Sequence, residues 1–254
     1  MENDALNSFG SLCVEMIDCP THGKQKSVSI AGRPLRCVKC IEDKATEDFK
    51  QEVGLLYARR EKSRIDRAVK QSGIPARYLE SSLSNYEHDL PAQLYVLNKC
   101  IEYAANFEQN LRVGKSMIFY GYPGTGKTHL LVAIARELLN KKHTVKYVPF
   151  LDMIDAMKSV ANFKSTLVKD DVIAAYLLPD LLIIDEAGVA YQNDMEYVFV
   201  YEIMNARYNQ RKPTILSSNQ NLEELTKCFG DRVIDRMRDS DGKAYQFSWE
   251  SYRK

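Results

Sequence analysis

Gly121-Tyr122-Pro123-Gly124-Thr125-Gly126-Lys127-Thr128 satisfies the pattern G-x-x-x-x-G-K-[ST]. Ser116 to Tyr120 before it reads as a short strand, and Lys127 to Asn140 after it reads as a helix. A glycine-rich turn in that setting points backbone N–H groups inward around phosphate oxygens, and the helix N-terminus adds positive potential. Lys127 would reach the β and γ phosphates, and the Thr128 hydroxyl would ligate Mg²⁺.

Working outward, strand and helix signals alternate. Thr144 to Phe150 reads as a strand, Leu151 to Val160 as a helix, and Leu181 to Asp185 as an apolar strand buried on both faces. Asp194 to Gln210 reads as a helix and Thr214 to Ser218 as a strand. Leu222 to Met237 reads as one or two short helices, and Ala244 to Trp249 as a last strand. This alternation predicts an α/β fold with a parallel sheet and right-handed crossovers.

Three further groups belong with the phosphate turn. Asp185 and Glu186 end a buried strand, where open α/β sheets bind ligands. Asp185 would hold the hydrated Mg²⁺, and Glu186 would orient and deprotonate an attacking water; the plain alternative is a solvated strand end. Asn219, with Ser218 as second choice, would hydrogen-bond that water or the γ-phosphate, although Ser217-Ser218-Asn219 also reads as a turn and helix cap. Arg232 and Arg236 are four apart and project from one helical face; an arginine delivered across a subunit boundary would stabilise transition-state charge in phosphoryl transfer. Read plainly, they sit on a surface helix paired with Asp231, Asp235 and Asp239.

Cys13, Cys19, Cys37 and Cys40 crowd the N-terminal region. Cys19-Pro20-Thr21-His22 and Cys37-Val38-Lys39-Cys40 are a C-x₂-H and a C-x₂-C pair, the arrangement that closes a tetrahedral structural zinc site. Cys13 is an alternative to His22. Residues 1–42 form this zinc-binding module, 43–73 a charged helical linker, and 74–254 the nucleotide domain. Lys24, Lys26, Arg33, Arg36 and Lys39 give the module a basic surface for DNA or simply for solvent.

Composition narrows the function classes. Thirty-five Lys and Arg balance 34 Asp and Glu, so any nucleic-acid surface is a local patch. No apolar run approaches the ~20 residues of a membrane span, and the acidic Met1-Glu2-Asn3-Asp4 does not look like a signal peptide. A cytoplasmic protein follows. Phe163, Lys164 and Tyr191 are candidate contacts for single-stranded DNA, by their aromatic and basic character in connecting segments.

The motif set resembles an AAA+ ATPase, and more specifically the DnaC-type helicase loaders, with the IstB transposition ATPases as relatives. The stretches that carry the likeness are Ser72 through Tyr86, Gly121 to His129, Leu181 to Gly188, Gly230 to Arg238, and Phe247 to Arg253. Together they span roughly residues 55–254. The resemblance implies an ATPase core without a C-terminal helical lid, slow turnover stimulated by DNA or partner, and ATP as a switch. It implies binding to a replicative DnaB-type hexameric helicase, self-association on that ring, and placement of the helicase on single-stranded DNA. By the same resemblance His129 joins the phosphate turn, Arg236 is the finger with Arg232 close by, and Arg253 is a second phosphate-sensing arginine. The Ile74 to Tyr86 segment lies against adenine, with Tyr78 as a stacking or packing residue. The cysteine-rich N-terminus departs from the best-known loaders and stands where they carry their helicase-binding part. An IstB-like transposition ATPase and a nucleotide-holding adaptor without significant hydrolysis remain the alternatives.

Overall fold

The computed structural model describes residues 12–30, 33–161, 169–188 and 194–252. Two compact units divide the chain, one through Arg64 and one from Ile65 onward.

In the first unit, β1 (Leu12–Cys19) and β2 (Gly23–Ile30) form an antiparallel hairpin, paired from Cys19↔Gly23 to Leu12↔Ile30. Gly23 takes a positive φ of 65° where the chain leaves the tip. A two-residue β3 (Arg36–Cys37) pairs with β2. Helix α1 (Val38–Ser72) follows at once, ahead of the start at 43 that its charge pattern suggested. No glycine or proline falls between Val38 and Gly54 to delay it, so Cys40 lies in its first turn. Its last turns belong to the second unit, where Ala68 and Val69 pack against the core. The stretch 43–73, expected as a charged helical linker, is helical through Ser72.

The second unit is a five-stranded parallel sheet covered on both faces. Its strands are β4 (Met117–Gly121), β5 (Val145–Pro149), β6 (Leu181–Ala187), β7 (Thr214–Ser218) and β8 (Lys243–Phe247), in the order β5-β6-β7-β4-β8. Alternate side chains feed two cores. Met117, Phe119, Leu181 and Ile183 point to one, built with Leu130, Leu131, Ile134 and Leu138 of α4 (Lys127–Asn140). Ile118, Leu182, Ile184 and Leu216 point to the other, with α5 (Phe150–Ala161), α6 (Lys169–Leu177) and α7 (Asp194–Asn209). Burial on both faces is why β6 reads as an unbroken apolar run.

Between α1 and β4, where the sequence analysis assigns no element, lie α2 (Pro91–Ala105) and α3 (Phe107–Val113). Pro91 opens α2, and the Gln93 side chain accepts the Leu90 N–H at 2.8 Å. The signal was present in Val96, Leu97, Cys100, Tyr103 and Ala104, all buried at helical spacing. Past β7 the helical stretch divides into α8 (Leu222–Phe229) and α9 (Asp231–Arg238), because Gly230 leaves helical geometry at φ 83°. Among the described residues no helix follows β8, and no helix is long and apolar enough to cross a membrane.

Arg207 of α7 fixes the strand starts that lead to the site. Fully buried, it donates to the carbonyl oxygens of Tyr176 (2.8 Å), Pro179 (3.0 Å), Asp180 (3.2 Å) and Pro213 (2.6 Å), and to Thr214 Oγ1 (3.1 Å). The segments entering β6 and β7 are thus held by one side chain.

Candidate functional site

β4 runs directly into the glycine turn, and α4 starts at Lys127 with its N-terminus at the turn. A Cβ on Gly121 would lie 2.3 Å from the carbonyl oxygen of Phe247, so that residue lets β8 approach closely. The Lys127 ammonium donates to the carbonyl oxygens of Gly121 (2.8 Å) and Tyr122 (2.6 Å), and Thr125 Oγ1 donates to the Tyr122 carbonyl (2.7 Å). The turn is also held from outside. The Thr125 carbonyl accepts from Trp249 Nε1 (3.0 Å) and the Tyr86 hydroxyl (3.3 Å), while the Tyr252 N–H donates to Gly124 (2.9 Å).

Asp185 is almost fully buried at the end of β6. Its Oδ2 accepts from Thr128 Oγ1 (2.8 Å) and from the Tyr147 hydroxyl (2.7 Å), and its Oδ1 accepts the Glu186 N–H (2.9 Å). Burial, then the Asp185 charge, push the Tyr147 hydroxyl well above the usual tyrosine range, so it is a proton donor at any working pH. Glu186 takes a left-handed φ of 57°, where the β6–β7 register shifts between Ile184 and Ala187. That irregularity breaks strand alternation and leaves Glu186 exposed between buried Asp185 and Ala187.

A cavity of about 450 Å³ brings these groups together. Pro123, Gly124, Gly126, Lys127, Thr128 and His129 line it from the turn and α4. Asp185, Glu186, Ser217 and Asn219 line it from the sheet, and Tyr78, Asn85, Tyr86, Glu87 and Tyr252 complete it. Gly121 ends β4 and Thr125 is fully buried, and neither lines the cavity. His129 Nε2 bonds the Ser82 carbonyl at 3.0 Å. Asn219 thus stands at the cavity, whereas Ser218 is buried, donating to the Ala187 carbonyl (2.5 Å) and accepting from the Gln220 N–H (3.0 Å). Tyr78 borders the cavity with Arg77 stacked 4.6 Å from its ring centre. Asn85 and Tyr86 fall in the Ile74–Tyr86 segment expected near adenine, whereas no local pattern marks Tyr147, Trp249 or Tyr252 as site residues, since their roles depend on long-range packing.

Arg232 and Arg236 lie on α9 outside this cavity. Arg232 donates to the Tyr201 hydroxyl at 3.4 Å; Arg236 bonds Asn205 Oδ1 and stacks over Tyr208, 5.0 Å from its ring centre. All three partners belong to α7. Arg253, Tyr191, Phe163 and Lys164 lie outside the described residues.

In the first unit, the ligand atoms of Cys19, His22, Cys37 and Cys40 all fall within 4.8 Å of one another. Cys19 Sγ and Cys40 Sγ are 3.6 Å apart, and His22 Nδ1 lies 3.8, 3.8 and 3.3 Å from the sulfurs of Cys19, Cys37 and Cys40. Tetrahedral Zn–S bonds of about 2.3 Å put two sulfurs about 3.8 Å apart, so the four donors fit one zinc ion. The hairpin tip presents the first pair; the end of β3 and the first turn of α1 present the second. His22 Nε2 lies 2.9 Å from Asp43 Oδ2, an outer carboxylate of the kind that orients a metal-bound imidazole. Backbone N–H groups of Thr21 and His22 pull the Cys19 thiol down, while the hydrogen bond with Cys19 pushes the Cys40 thiol up. Cys13 does not join the cluster: it is exposed on β1 and donates to Glu15 Oε1 at 3.5 Å.

A parallel sheet with a glycine-rich phosphate turn leaving β4 and an acidic pair ending β6 defines an AAA+ type P-loop ATP-binding protein. A family model described as "IstB-like ATP binding protein" matches residues 38–254, and the chain belongs to that family. It is 35% identical over 190 residues to the replicative helicase loader DnaC of Escherichia coli strain K12, covering 75% of this chain and 76% of that protein. The DnaC of Buchnera aphidicola subsp. Baizongia pistaciae is 33% identical over 234 residues, covering 87% of this chain and 93% of that protein. The crystal structure of the DnaC helicase loader superposes with a TM-score of 0.60 at 24% identity, covering 68% of this chain and 99% of the other, a likeness of fold. Cys19, His22 and Cys37 precede the family match.

Proposed function

We propose that this chain is an ATP-switched loader that binds a replicative DnaB-type hexameric helicase in the cytoplasm and helps place it on single-stranded DNA. The observation that carries the reading is the 35% identity to a replicative helicase loader over three quarters of the chain, with Lys127, Thr128, Asp185 and Glu186 around one cavity. Lys127 and the turn amides hold the phosphates. Thr128 Oγ1 and Asp185 are the oxygen donors that would hold Mg²⁺, which screens phosphate charge when bound. Glu186 takes the proton of the attacking water, and Asn219 orients that water or the γ-phosphate.

Turnover is slow because part of the constellation comes from elsewhere. Arg236, with Arg232 beside it, reaches the ATP of a neighbouring copy on the helicase ring, and Arg253 senses phosphate from the C-terminal tail. The module of residues 1–42, held by one Zn²⁺ on Cys19, His22, Cys37 and Cys40, recognises the helicase; 43–73 links it to the ATPase domain of 74–254.

The match to an IstB-like ATP binding family keeps a second reading, an IstB-like transposition ATPase. Pull-down with the replicative helicase, with and without ATP, separates the two. Nucleotide-dependent capture of helicase is expected; capture of transposase in its place would overturn the loader reading.

A further inference from the structure

We propose that Tyr147 is a positioning residue that confines Asp185 to the outer coordination shell of the nucleotide-bound Mg²⁺. The inference rests on reading the cavity as a MgATP site and adds a residue to it.

A carboxylate offers about four lone-pair directions, two on each oxygen. On Asp185, both directions of Oδ2 are occupied, by Thr128 Oγ1 at 2.8 Å and Tyr147 Oη at 2.7 Å. Oδ1 takes the Glu186 N–H at 2.9 Å, which leaves one direction open. That remaining direction suits a hydrogen from metal-bound water, whereas direct metal ligation through Oδ2 requires a hydroxyl to leave. Mg²⁺ sheds water reluctantly and commonly keeps several waters, so the outer-shell arrangement matches its chemistry. The Thr128 hydroxyl, with its hydrogen directed at Asp185, keeps its lone pairs for the ion.

The backbone makes this triad specific. Tyr147 on β5 is in register with Ile183, and Asp185 is two residues further along β6, so the tyrosine ring and the carboxylate share a face of the sheet. Tyr147 is only 4% exposed, and a buried hydroxyl needs a partner. Phenylalanine would fill the same volume, so the hydroxyl serves Asp185 rather than packing.

The test is Tyr147→Phe in the full chain, with a fluorescent ATP analogue titrated in EDTA and at graded Mg²⁺. Affinity in EDTA is expected to match wild type within twofold. The Mg²⁺ concentration at half-maximal enhancement should rise about tenfold, the lower end for losing an outer-shell partner. In an Asp185→Asn background the same substitution should add nothing. A Tyr147→Phe curve superimposed on a Mg²⁺-responsive wild type would overturn the role of Tyr147 alone, as would an equal loss in EDTA. Wild type indifferent to Mg²⁺ would instead overturn the site reading beneath it. A second measurement needs no variant: wild type with Mn²⁺ and ATP, labelled with [¹³C]aspartate, should show no directly metal-bound carboxylate by spin-echo spectroscopy. A directly bound carboxylate would refute the proposal.

Discussion

Trp249 Nε1 donates to the carbonyl oxygen of Thr125 across 3.0 Å, so the chain's single tryptophan is bonded to the phosphate-binding turn. Indole emission follows the bond its N–H makes, and closure of the turn on phosphate shifts the backbone at Thr125. ATP titration is expected to give a saturable change in tryptophan fluorescence that Lys127→Ala silences. Trp249→Phe leaves Thr125 with the longer Tyr86 bond and should weaken ATP affinity about fivefold, the equivalent of one ordinary hydrogen bond. Emission unmoved by ATP concentrations that saturate the site in a filter-binding assay would show that the turn does not move.

Glu186 is exposed at the cavity by the same β6 irregularity that leaves Asp185 buried. Glu186→Gln should retain ATP binding and lower phosphate release by roughly 100-fold or more. Lys127→Ala should abolish binding. Wild-type turnover in Glu186→Gln, measured in the presence of helicase and DNA, would remove Glu186 as the base.

The four-donor cluster predicts one Zn²⁺ per chain by elemental analysis, lost in Cys37→Ser and retained in Cys13→Ser. Chelation should expose the hairpin to protease, since structural zinc supplies on the order of 10 kcal/mol to small modules of this kind. ATP binding should persist, because every cavity residue lies in the other unit. Stoichiometric metal in Cys37→Ser would take Cys37 out of the ligand set.

The parts of the site legible in the sequence are those where a backbone requirement forces residue type. The turn before Lys127, the helix Lys127–Asn140 and the strand Thr214–Ser218 are marked by glycine, periodicity and β-branched residues within a few positions. The Cys19/His22 and Cys37/Cys40 pairs are legible because their short spacing is that of metal-ligand pairs, and the four donors come within 4.8 Å of one another. What escaped depends on contacts between distant segments. Tyr147 acts through a carboxylate 38 residues away, and Trp249 through a carbonyl 124 residues away, with no local pattern to mark either. Helix α2 escaped for a different reason: its buried Gln93 and exposed Leu94 and Tyr95 blur an otherwise helical period.

Arg207 looks like any charged residue near a helix end, yet it is fully buried and satisfied by four backbone carbonyls and Thr214. Burial lowers its guanidinium to about 9, so it remains charged at neutral pH. Arg207→Met strands those carbonyls without a donor. It should destabilise the second unit by at least about 3 kcal/mol in urea unfolding, more than one neutral hydrogen bond contributes. A loss under about 1 kcal/mol would show that water replaces the guanidinium.

Arg236 is braced by Asn205 and Tyr208 on α7, and neither it nor Arg232 lines the cavity of its own chain. A finger acting on a neighbour's ATP must be complementable, because the damage to one copy lies in the site of another. Arg236→Ala should bind ATP normally and lose about 1000-fold of its assembly-stimulated hydrolysis. Lys127→Ala should lack both binding and hydrolysis. Mixed on the helicase ring, the two inactive variants should regain part of the wild-type rate, since Lys127→Ala copies still present Arg236 to Arg236→Ala copies that hold ATP. No recovery across mixing ratios, with both variants confirmed on the ring, would rule out delivery of Arg236 between subunits. Intact hydrolysis by Arg236→Ala alone would remove its role altogether.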